Sequence, residues 1–222
     1  MIWLNRGTWS PKCEPMKFDK NKLVIKYYTG FEMLPFSKQK VNPDLVLKLG
    51  YELLANLSYV PLLSSGTLLG LYRNKAFIPH DTDIDVHCLV DTRSITITPS
   101  YLVQVIDTFK KNGFTLGRIM VYDKTKVMQL AFRYEDTIFD VEFVYTDLDP
   151  DYNITVHEHG YYELEKRYFD HLGVLERNDI NYLIPSPIES FLAHRFGSDW
   201  KTPKKEKGAW QNDATNLVLW GN

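Results

Sequence analysis

The fold is decided by the stretch SSGTLLG, residues 64–70, and by the stretch FIPHDTDIDVH that follows it at residues 77–87. The first stretch has the composition of a tight turn that opens a short helix. At such a turn the free backbone N–H groups, the serine hydroxyls and the helix dipole all favour an anion, and phosphate is the expected guest. We therefore assign phosphate contacts to Ser65, Gly66 and Thr67.

The second stretch alternates polar and apolar residues, which is the period of a half-buried strand. Its acids Asp83 and Asp85 therefore face one way, and the apolar residues beside them face the other. Residues two apart on a strand lie roughly 6.6 Å apart, so two such carboxylates can share one hard cation or bridge a pair. A lone Asp-x-Asp is often only an acidic surface loop. Here the pair Asp83 and Asp85 follows the turn at residues 64–66, which we call the glycine turn. We therefore predict a Mg²⁺ or Mn²⁺ site at the strand edge.

Together the two stretches resemble the signature of the LicD family, which includes bacterial phosphorylcholine transferases and fukutin-type ribitol-phosphate transferases. The likeness is nearly continuous over residues 65–86 and returns in FGSDWKTP at residues 196–203, so it spans about residues 42–203. The chain departs from the family pattern at His80, where Trp is common, and at Thr82, where Asp is common. The resemblance implies an α+β fold with a nucleotidyltransferase-like, mixed or antiparallel sheet flanked by helices.

A later strand, FDVEFVY at residues 139–145, carries two further acids. Its aromatic and aliphatic residues share one face, which leaves Asp140 and Glu142 on the other. A face turned to water is the alternative, because half-exposed strands are common and buried unpaired carboxylates are costly. The strand also resembles the family's Val-Asp-Leu-type strand. That resemblance aligns Asp140, with Glu142 as second choice, with the third metal-binding acid.

Three residues near the turn and the acids have two uses open to them. Arg73 follows the short helix and either reaches the same phosphates or is an ordinary surface arginine. His80 and Asp81 lie at the mouth of the expected site, where either can position or deprotonate an acceptor hydroxyl. For Asp81 the alternative is to stabilise the turn. We keep all three as candidate site residues.

No other motif competes with the carboxylate site, because the sequence has no Ser-His-Asp order, dinucleotide-binding loop, Walker motif or partnered cysteine nucleophile. Metal-assisted phosphoryl transfer is the chemistry that remains. By resemblance, the protein is a phosphotransferase that moves phosphocholine, ribitol phosphate or a sugar phosphate from a nucleotide-diphosphate donor, CDP-linked by preference, to a glycan or polyol acceptor. One alternative is a nucleotidyltransferase that moves a nucleoside monophosphate from a triphosphate to a small molecule or sugar. The other is a non-catalytic binding module on the same fold.

The composition is that of an ordinary globular protein. The chain has 222 residues, 44% of them hydrophobic, and a formal net charge of −2, which argues against general nucleic-acid binding. Cys13 and Cys88 lack a metal-binding spacing, and we expect free thiols rather than one long-range disulfide. His157 and His159 are spaced as a metal pair, but no cysteines complete a zinc site there. No signal peptide or membrane span is visible, so we expect a cytoplasmic protein.

We divide the chain into an aromatic-rich extension at residues 1–41 that packs on the core, a LicD-like domain at residues 42–203 and a tail at residues 204–222. Asn42 and Pro43 are typical of a helix start. We expect a strand at 23–28 that turns at Thr29-Gly30 towards 31–36, the helix from residue 42 to 57 and a strand at 59–63. The short helix after residue 64 and a strand from 83 follow. After them we expect a helix capped by Ser100 that ends near Gly113, an antiparallel meander of strands at 114–121, 127–134 and 137–145, and a helix at 188–196.

Overall fold

The computed structural model describes part of the chain. The backbone is described at residues 15–19, 22–25, 33–90, 99–122, 126–145, 153–157 and 161–203. Side chains are described at residues 33–89, 103–119, 129–144 and 165–203. The predicted tail and most of the predicted extension lie outside the described residues, so the domain boundaries stay predictions.

Helices and strands alternate irregularly along the described segments. The helices are α1 (Pro43–Asn56), α2 (Ser65–Asn74), α3 (Pro99–Lys111) and α4 (Ile188–Phe196). The strands are β1 (Pro15–Asp19), β2 (Lys22–Ile25), β3 (Val60–Leu63), β4 (Asp83–Val90), β5 (Thr115–Tyr122), β6 (Lys126–Tyr134), β7 (Thr137–Tyr145), β8 (Asn153–His157), β9 (Tyr161–Glu165), β10 (Gly173–Arg177) and β11 (Ile180–Ile184). Within the described residues, every helix is too short or too polar to traverse a lipid bilayer.

A seven-stranded sheet forms the centre of the fold, in the order β10-β11-β3-β4-β7-β6-β5. β11 pairs with β3 and β4 pairs with β7 in parallel, whereas the other neighbours pair antiparallel. The hairpins β1-β2 and β8-β9 stand outside this sheet. The mixed sheet with its helices confirms the predicted α+β class, and β5, β6 and β7 form the predicted antiparallel meander.

The central strands β4 and β7 have one apolar and one polar face. Their parallel register sets Ile84 beside Phe139 on the apolar face, and both side chains are fully buried. The polar face carries the predicted acids of both strands together with His87. The alternation in the sequence is therefore the alternation of the folded sheet.

Helix α1 begins as the sequence predicts. Asn42 accepts the backbone N–H of Asp44 at 3.0 Å, and Pro43 occupies the first helical position. Asp44 also receives two hydrogen bonds from the guanidinium of Arg177, at 2.5 Å and 2.8 Å. This bidentate pair ties the start of α1 to the edge strand β10.

Helices α1 and α3 pack on the apolar face of the sheet. Gly50 of α1 lies against the ring of Phe139, because a Cβ at Gly50 would sit 2.5 Å from Cζ of that ring. From α3, Phe109 stacks on Phe132 of β6 with ring centroids 4.2 Å apart. Helices α1 and α3 thereby cover the apolar side of the β4-β7 pair, and the acids lie on the other side.

One predicted boundary is wrong, and another lies outside the described residues. β2 pairs with β1, and Phe36 begins a short 3-10 turn, but the predicted turn at Thr29-Gly30 lies outside the described residues. α3 begins at Pro99, so Ser100 is its second residue and not its cap. Proline is well suited to the first helical position because the N–H it lacks has no helical partner there.

The edge hairpin of β10 and β11 was not predicted from the sequence. Asn178 and Asp179 connect the two strands and have φ values of 50° and 61°, the conformation of a tight hairpin turn that Asn and Asp tolerate. Through β11 the hairpin adds to β3 and completes the sheet. The suggested zinc pair is not tested, because the side chains of His157 and His159 lie outside the described residues.

Candidate active site

Three of the predicted acids meet where β4 begins. Asp85 and Asp140 are opposed in the parallel pairing of β4 with β7, and Asp83 precedes Asp85 on the same face. One carboxylate oxygen from each lies within 4.8 Å of the other two. Asp140 is fully buried and Asp85 is 4% exposed, whereas Asp83 is half-buried. The fold thus joins acids that are more than 50 residues apart in the chain. We call these three residues the acid cluster.

The acid cluster fits a hard divalent cation. Its donors are all oxygens and converge, which is the arrangement such cations prefer. Negative groups this close repel one another, and burial adds a cost to each charge. Asp81 shows this effect at the edge of the cluster: burial, and then the charge of Asp83, raise its pKa to about 7. A bound cation would relieve the repulsion.

The glycine turn opens α2 and is tied to β4 by two hydrogen bonds. Thr67 accepts the backbone N–H of Asp85 through Oγ1 at 2.9 Å, and the N–H of Ser64 donates to the carbonyl of Asp85 at 3.2 Å. Ser65 has φ 45°, a left-handed conformation that a serine adopts only where its surroundings impose it. The first turn of α2 is therefore held beside the acid cluster. The phosphate contacts of Ser65, Gly66 and Thr67 stay a prediction.

Gly66 leaves room for the side chain of Asp81 at the start of α2. A Cβ at Gly66 would overlap Oδ2 of Asp81. The other oxygen of Asp81, Oδ1, accepts the backbone N–H of Thr82 at 3.0 Å. Asp81 therefore makes the turn-stabilising hydrogen bond that was its alternative role, and it also lies between the glycine turn and Asp83.

Arg73 contacts the C-terminal part of the domain. Its Nη1 donates to the carbonyl of Trp200 at 3.1 Å, and its Nε donates to Oδ1 of Asn74 at 2.9 Å. These contacts link α2 to the motif at residues 196–203. The phosphate contact suggested for Arg73 stays a prediction.

His80 is exposed and lies beside an open cavity of about 510 Å³. The cavity adjoins the loop that leads into β4, and one of its lining residues, Thr82, lies between Asp81 and Asp83 in the sequence. Its lining residues are Pro35, Ser37, Pro79, His80 and Thr82. The residues that line this cavity include no member of the acid cluster.

Glu142, the second choice for the third acid, lies beside His87 and outside the acid cluster. The two residues are opposed in the β4-β7 pairing, and both are buried. Nε2 of His87 is 2.7 Å from Oε2 of Glu142. Burial, and then the charge of Arg195, lower the pKa of His87 to about 3, whereas burial raises the pKa of Glu142 to about 8. Burial thus disfavours the charged form of both groups.

Arg118 and Gln129 contact the acid cluster and were not predicted. The guanidinium of Arg118 forms an ion pair with Oδ2 of Asp140, and Nε2 of Gln129 donates to the same oxygen at 2.9 Å. Strand β5 has a bulge between Leu116 and Arg118, which reverses the face that Arg118 would otherwise share with Leu116. Gly117 is the sequence signal for this bulge, since glycine inside a strand often marks one.

A mixed sheet with acids on two parallel neighbouring strands, beside a glycine turn that opens a helix, defines a nucleotidyltransferase-type domain. The chain belongs to the LicD family: the model described as LicD/FKTN/FKRP, nucleotidyltransferase domain, matches residues 59–186, more than half of the chain. The predicted resemblance is confirmed. The matched region contains the glycine turn and the whole acid cluster.

Solved structures are also similar to the chain. ANT(2″)-Ia in complex with adenylyl-2″-tobramycin is 10% identical over 80% of this chain and 88% of that chain, with a TM-score of 0.41. The lincosamide antibiotic adenylyltransferase LnuA, bound to lincomycin, is 14% identical over 84% of this chain and 98% of that chain, with a TM-score of 0.44. Both TM-scores are below 0.5, so the family assignment rests on the sequence match. No curated protein is significantly similar to the chain.

Proposed function

We propose that the protein is a metal-dependent phosphotransferase that moves a phospho-alcohol from a nucleotide-diphosphate donor, CDP-linked by preference, to a hydroxyl of a glycan or polyol. The observation that carries the proposal is the acid cluster, whose carboxylate oxygens lie within 4.8 Å of one another in a LicD-family domain. Family membership supports transfer of a phosphorus-containing group. The head group and the acceptor are proposed from the family resemblance.

In this proposal the acid cluster holds Mg²⁺ or Mn²⁺. When bound, the metal neutralises charge on the phosphates of the donor and on the leaving phosphate. The chain's own contribution is to fix the ligands. The register of β4 with β7 sets Asp85 against Asp140, and the hydrogen bond from the Asp85 N–H to Thr67 holds β4 against α2. Rigid placement of this kind lowers the cost of ordering the site when substrate binds.

The first turn of α2 is the proposed binding place for a donor phosphate. The N-terminal N–H groups of a helix lack helical partners, and the helix dipole favours an anion there. Ser65, Gly66 and Thr67 supply these groups. The cavity beside His80 is the proposed entrance for the acceptor, and either His80 or Asp81 is the proposed group that takes the proton of the acceptor hydroxyl.

The proposed reaction forms one bond and breaks one bond at phosphorus. The acceptor oxygen bonds to the phosphorus that carries the alcohol, and the bond from that phosphorus to the bridging oxygen of the diphosphate breaks. The nucleoside monophosphate leaves with the electron pair, and the acceptor proton passes to His80 or Asp81. In a nucleotidyltransferase, the acceptor oxygen would instead attack the α-phosphate of a triphosphate, and pyrophosphate would leave.

Chromatography of the nucleotide products tests the proposal. The protein is incubated with CDP-choline, CDP-ribitol, other nucleotide-activated donors and plain triphosphates, with Mg²⁺ or Mn²⁺ and with a panel of polyols and glycans. We expect a nucleoside monophosphate from one diphosphate ester, and none in the presence of chelator. Pyrophosphate from a triphosphate would instead support nucleotidyl transfer, and no product from any combination would contradict both enzymatic functions.

A variant of the acid cluster provides the matched control. Asp83→Asn removes one ligand charge with little change in volume, and we expect turnover to fall by at least about 100-fold, or roughly 2.7 kcal/mol of barrier. Asp107→Asn makes the same chemical change on the exposed face of α3, and it should leave turnover unchanged. Full activity in Asp83→Asn would contradict the assigned site.

A further inference from the structure

Arg118 reaches the acid cluster because strand β5 breaks its own alternation. Leu116 pairs with Phe132 of β6, and Arg118 pairs with Ala131, so two steps on β5 match one step on β6. Without the extra residue, Arg118 would lie opposite Leu130 on the apolar face. Bulges commonly redirect a side chain next to a functional site. The bulge at Gly117 therefore moves a cation from the hydrophobic side of the sheet to its polar side.

A row of residues across the sheet shows how far the Arg118 side chain extends. Arg118 of β5 lies opposite Ala131 of β6, Ala131 lies opposite Asp140 of β7, and Asp140 lies opposite Asp85 of β4. Reaching from β5 to β7 means crossing two strand spacings, about 9–10 Å. The small side chain of Ala131 leaves this path open on the polar face. Arg118 thereby contacts a residue of the acid cluster from a strand that is not its neighbour.

The contact between Arg118 and Asp140 lies at the boundary of the protein interior. The Asp140 side chain is fully buried, whereas the Arg118 side chain is 15% exposed. Burial raises the pKa of Glu142, and the charges of Arg195 and then of Arg118 oppose that effect. Arg118 thus supplies positive charge near both acids of β7, Asp140 and Glu142.

A cation bound at the acid cluster and the guanidinium of Arg118 would compete for the same carboxylate. Like charges that share one partner repel. The long and flexible arginine side chain has an alternative partner, because guanidinium binds phosphate oxygens with two parallel hydrogen bonds.

We propose that Arg118 is a donor-binding residue with two alternative partners, the Asp140 carboxylate in the metal-free protein and a phosphate oxygen of the donor once a divalent cation occupies the acid cluster. This inference rests on the proposed function, since it takes the metal and a phosphate donor as given. The proposal adds a phosphate contact from β5. In the sheet order β3-β4-β7-β6-β5, this strand and the glycine turn, which follows β3, lie on opposite sides of the acid cluster.

The competing role for Arg118 is purely structural. A buried carboxylate such as Asp140 needs a partner, and removing that partner commonly destabilises the fold. In that case Arg118 would order Asp140 for the metal, and loss of Arg118 would weaken metal binding. The two roles therefore predict opposite changes in metal affinity.

Titration of Mn²⁺ into the wild-type protein and Arg118→Gln, without nucleotide, is the first measurement. If Arg118 competes with the metal, Arg118→Gln should bind Mn²⁺ about three- to tenfold more tightly than the wild-type protein. Unchanged or weaker binding by Arg118→Gln would overturn the proposal. Arg167→Gln removes the same charge from an exposed pair with Glu165 and should bind Mn²⁺ like the wild-type protein.

Titration of the four common nucleoside diphosphates at saturating Mn²⁺ is the second measurement. The diphosphate that binds the wild-type protein should bind Arg118→Gln at least about tenfold more weakly. Arg118→Lys keeps the charge without the two-pronged geometry, so it should retain wild-type Mn²⁺ affinity and show an intermediate loss of diphosphate affinity. This variant also keeps the test valid if Arg118→Gln fails to fold. Equal diphosphate affinity in both variants and the wild-type protein would overturn the proposal, whereas a wild-type protein that binds neither Mn²⁺ nor any diphosphate would refute the proposed function itself.

Discussion

Asp85 and Asp140 lie directly opposite each other in the parallel pairing of β4 with β7. The two residues come from distant parts of the chain, and only the strand register brings them together. A slip of one residue would exchange the faces of a strand, so that Asp140 would lie on the apolar side and Phe139 on the polar side. The register is fixed by the apolar pairs on the other face, such as Val86 with Val141. The hydrophobic core therefore determines the geometry of the acid cluster.

Divalent metal should stabilise the wild-type protein, and Asp85→Asn should abolish this effect. At a metal concentration 100 times the dissociation constant, binding adds about 2.7 kcal/mol to the free energy of unfolding. Asp85→Asn removes one ligand charge but preserves side-chain volume, and it also relieves repulsion within the acid cluster. Thermal unfolding with Mn²⁺ and with chelator measures both proteins. A full metal-dependent rise in the melting temperature of Asp85→Asn would contradict the ligand assignment.

Gly66→Ala should destabilise the protein through Asp81. The added Cβ would overlap Oδ2 of Asp81, and overpacking of this kind costs about 1–3 kcal/mol. Replacing Asp81 by Ala removes the overlapping group, so the double variant should be more stable than the sum of the two single changes predicts. Urea unfolding in chelator gives the four free energies of this cycle. Strict additivity would show that the close approach of Gly66 and Asp81 has no energetic consequence.

The acids of the candidate site could be predicted because alternation alone places them. In β4 and β7 the apolar residues are uninterrupted at every second position, and this leaves Asp83, Asp85 and Asp140 on one face. The same alternation also placed Glu142 on that face. It could not show that Glu142 would lie beside His87, because the pairing partner of a residue depends on the register between strands.

Arg118 could not be predicted in the same way. Alternation from Leu116 assigns Arg118 to the apolar face, and only the bulge reverses that assignment. The edge hairpin was missed for a different reason. Its strands β10 and β11 are short. The Asn178-Asp179 pair between them is a local signal for a hairpin turn that was not used in the prediction.

Gly50→Ala should reduce stability although alanine is the better helix former. Within a helix, alanine is favoured over glycine by about 1 kcal/mol. Here the new Cβ would lie 2.5–2.7 Å from three atoms of the fully buried Phe139 ring, and relief requires movement of the sheet or of α1. We expect a net loss of about 1–2 kcal/mol in chemical denaturation, because overpacking outweighs propensity. In the Phe139→Leu background the same change should cost less, and an equal cost in both backgrounds would contradict this account.

The thiol of Cys88 should be unreactive in the folded protein. Cys88 lies on the apolar face of β4 and is fully buried, and burial raises the pKa of its thiol. Because the thiolate is the reactive form, both effects suppress alkylation.

The test uses Cys13→Ser, which leaves Cys88 as the single cysteine of the 222-residue chain. We expect no labelling by iodoacetamide at pH 8 in buffer and complete labelling in denaturant. The rate in intermediate urea should follow global unfolding, since the strand that carries Cys88 also carries Asp85 at the centre of the sheet. Rapid labelling without denaturant would show that β4 opens locally, which is incompatible with a rigid acid cluster.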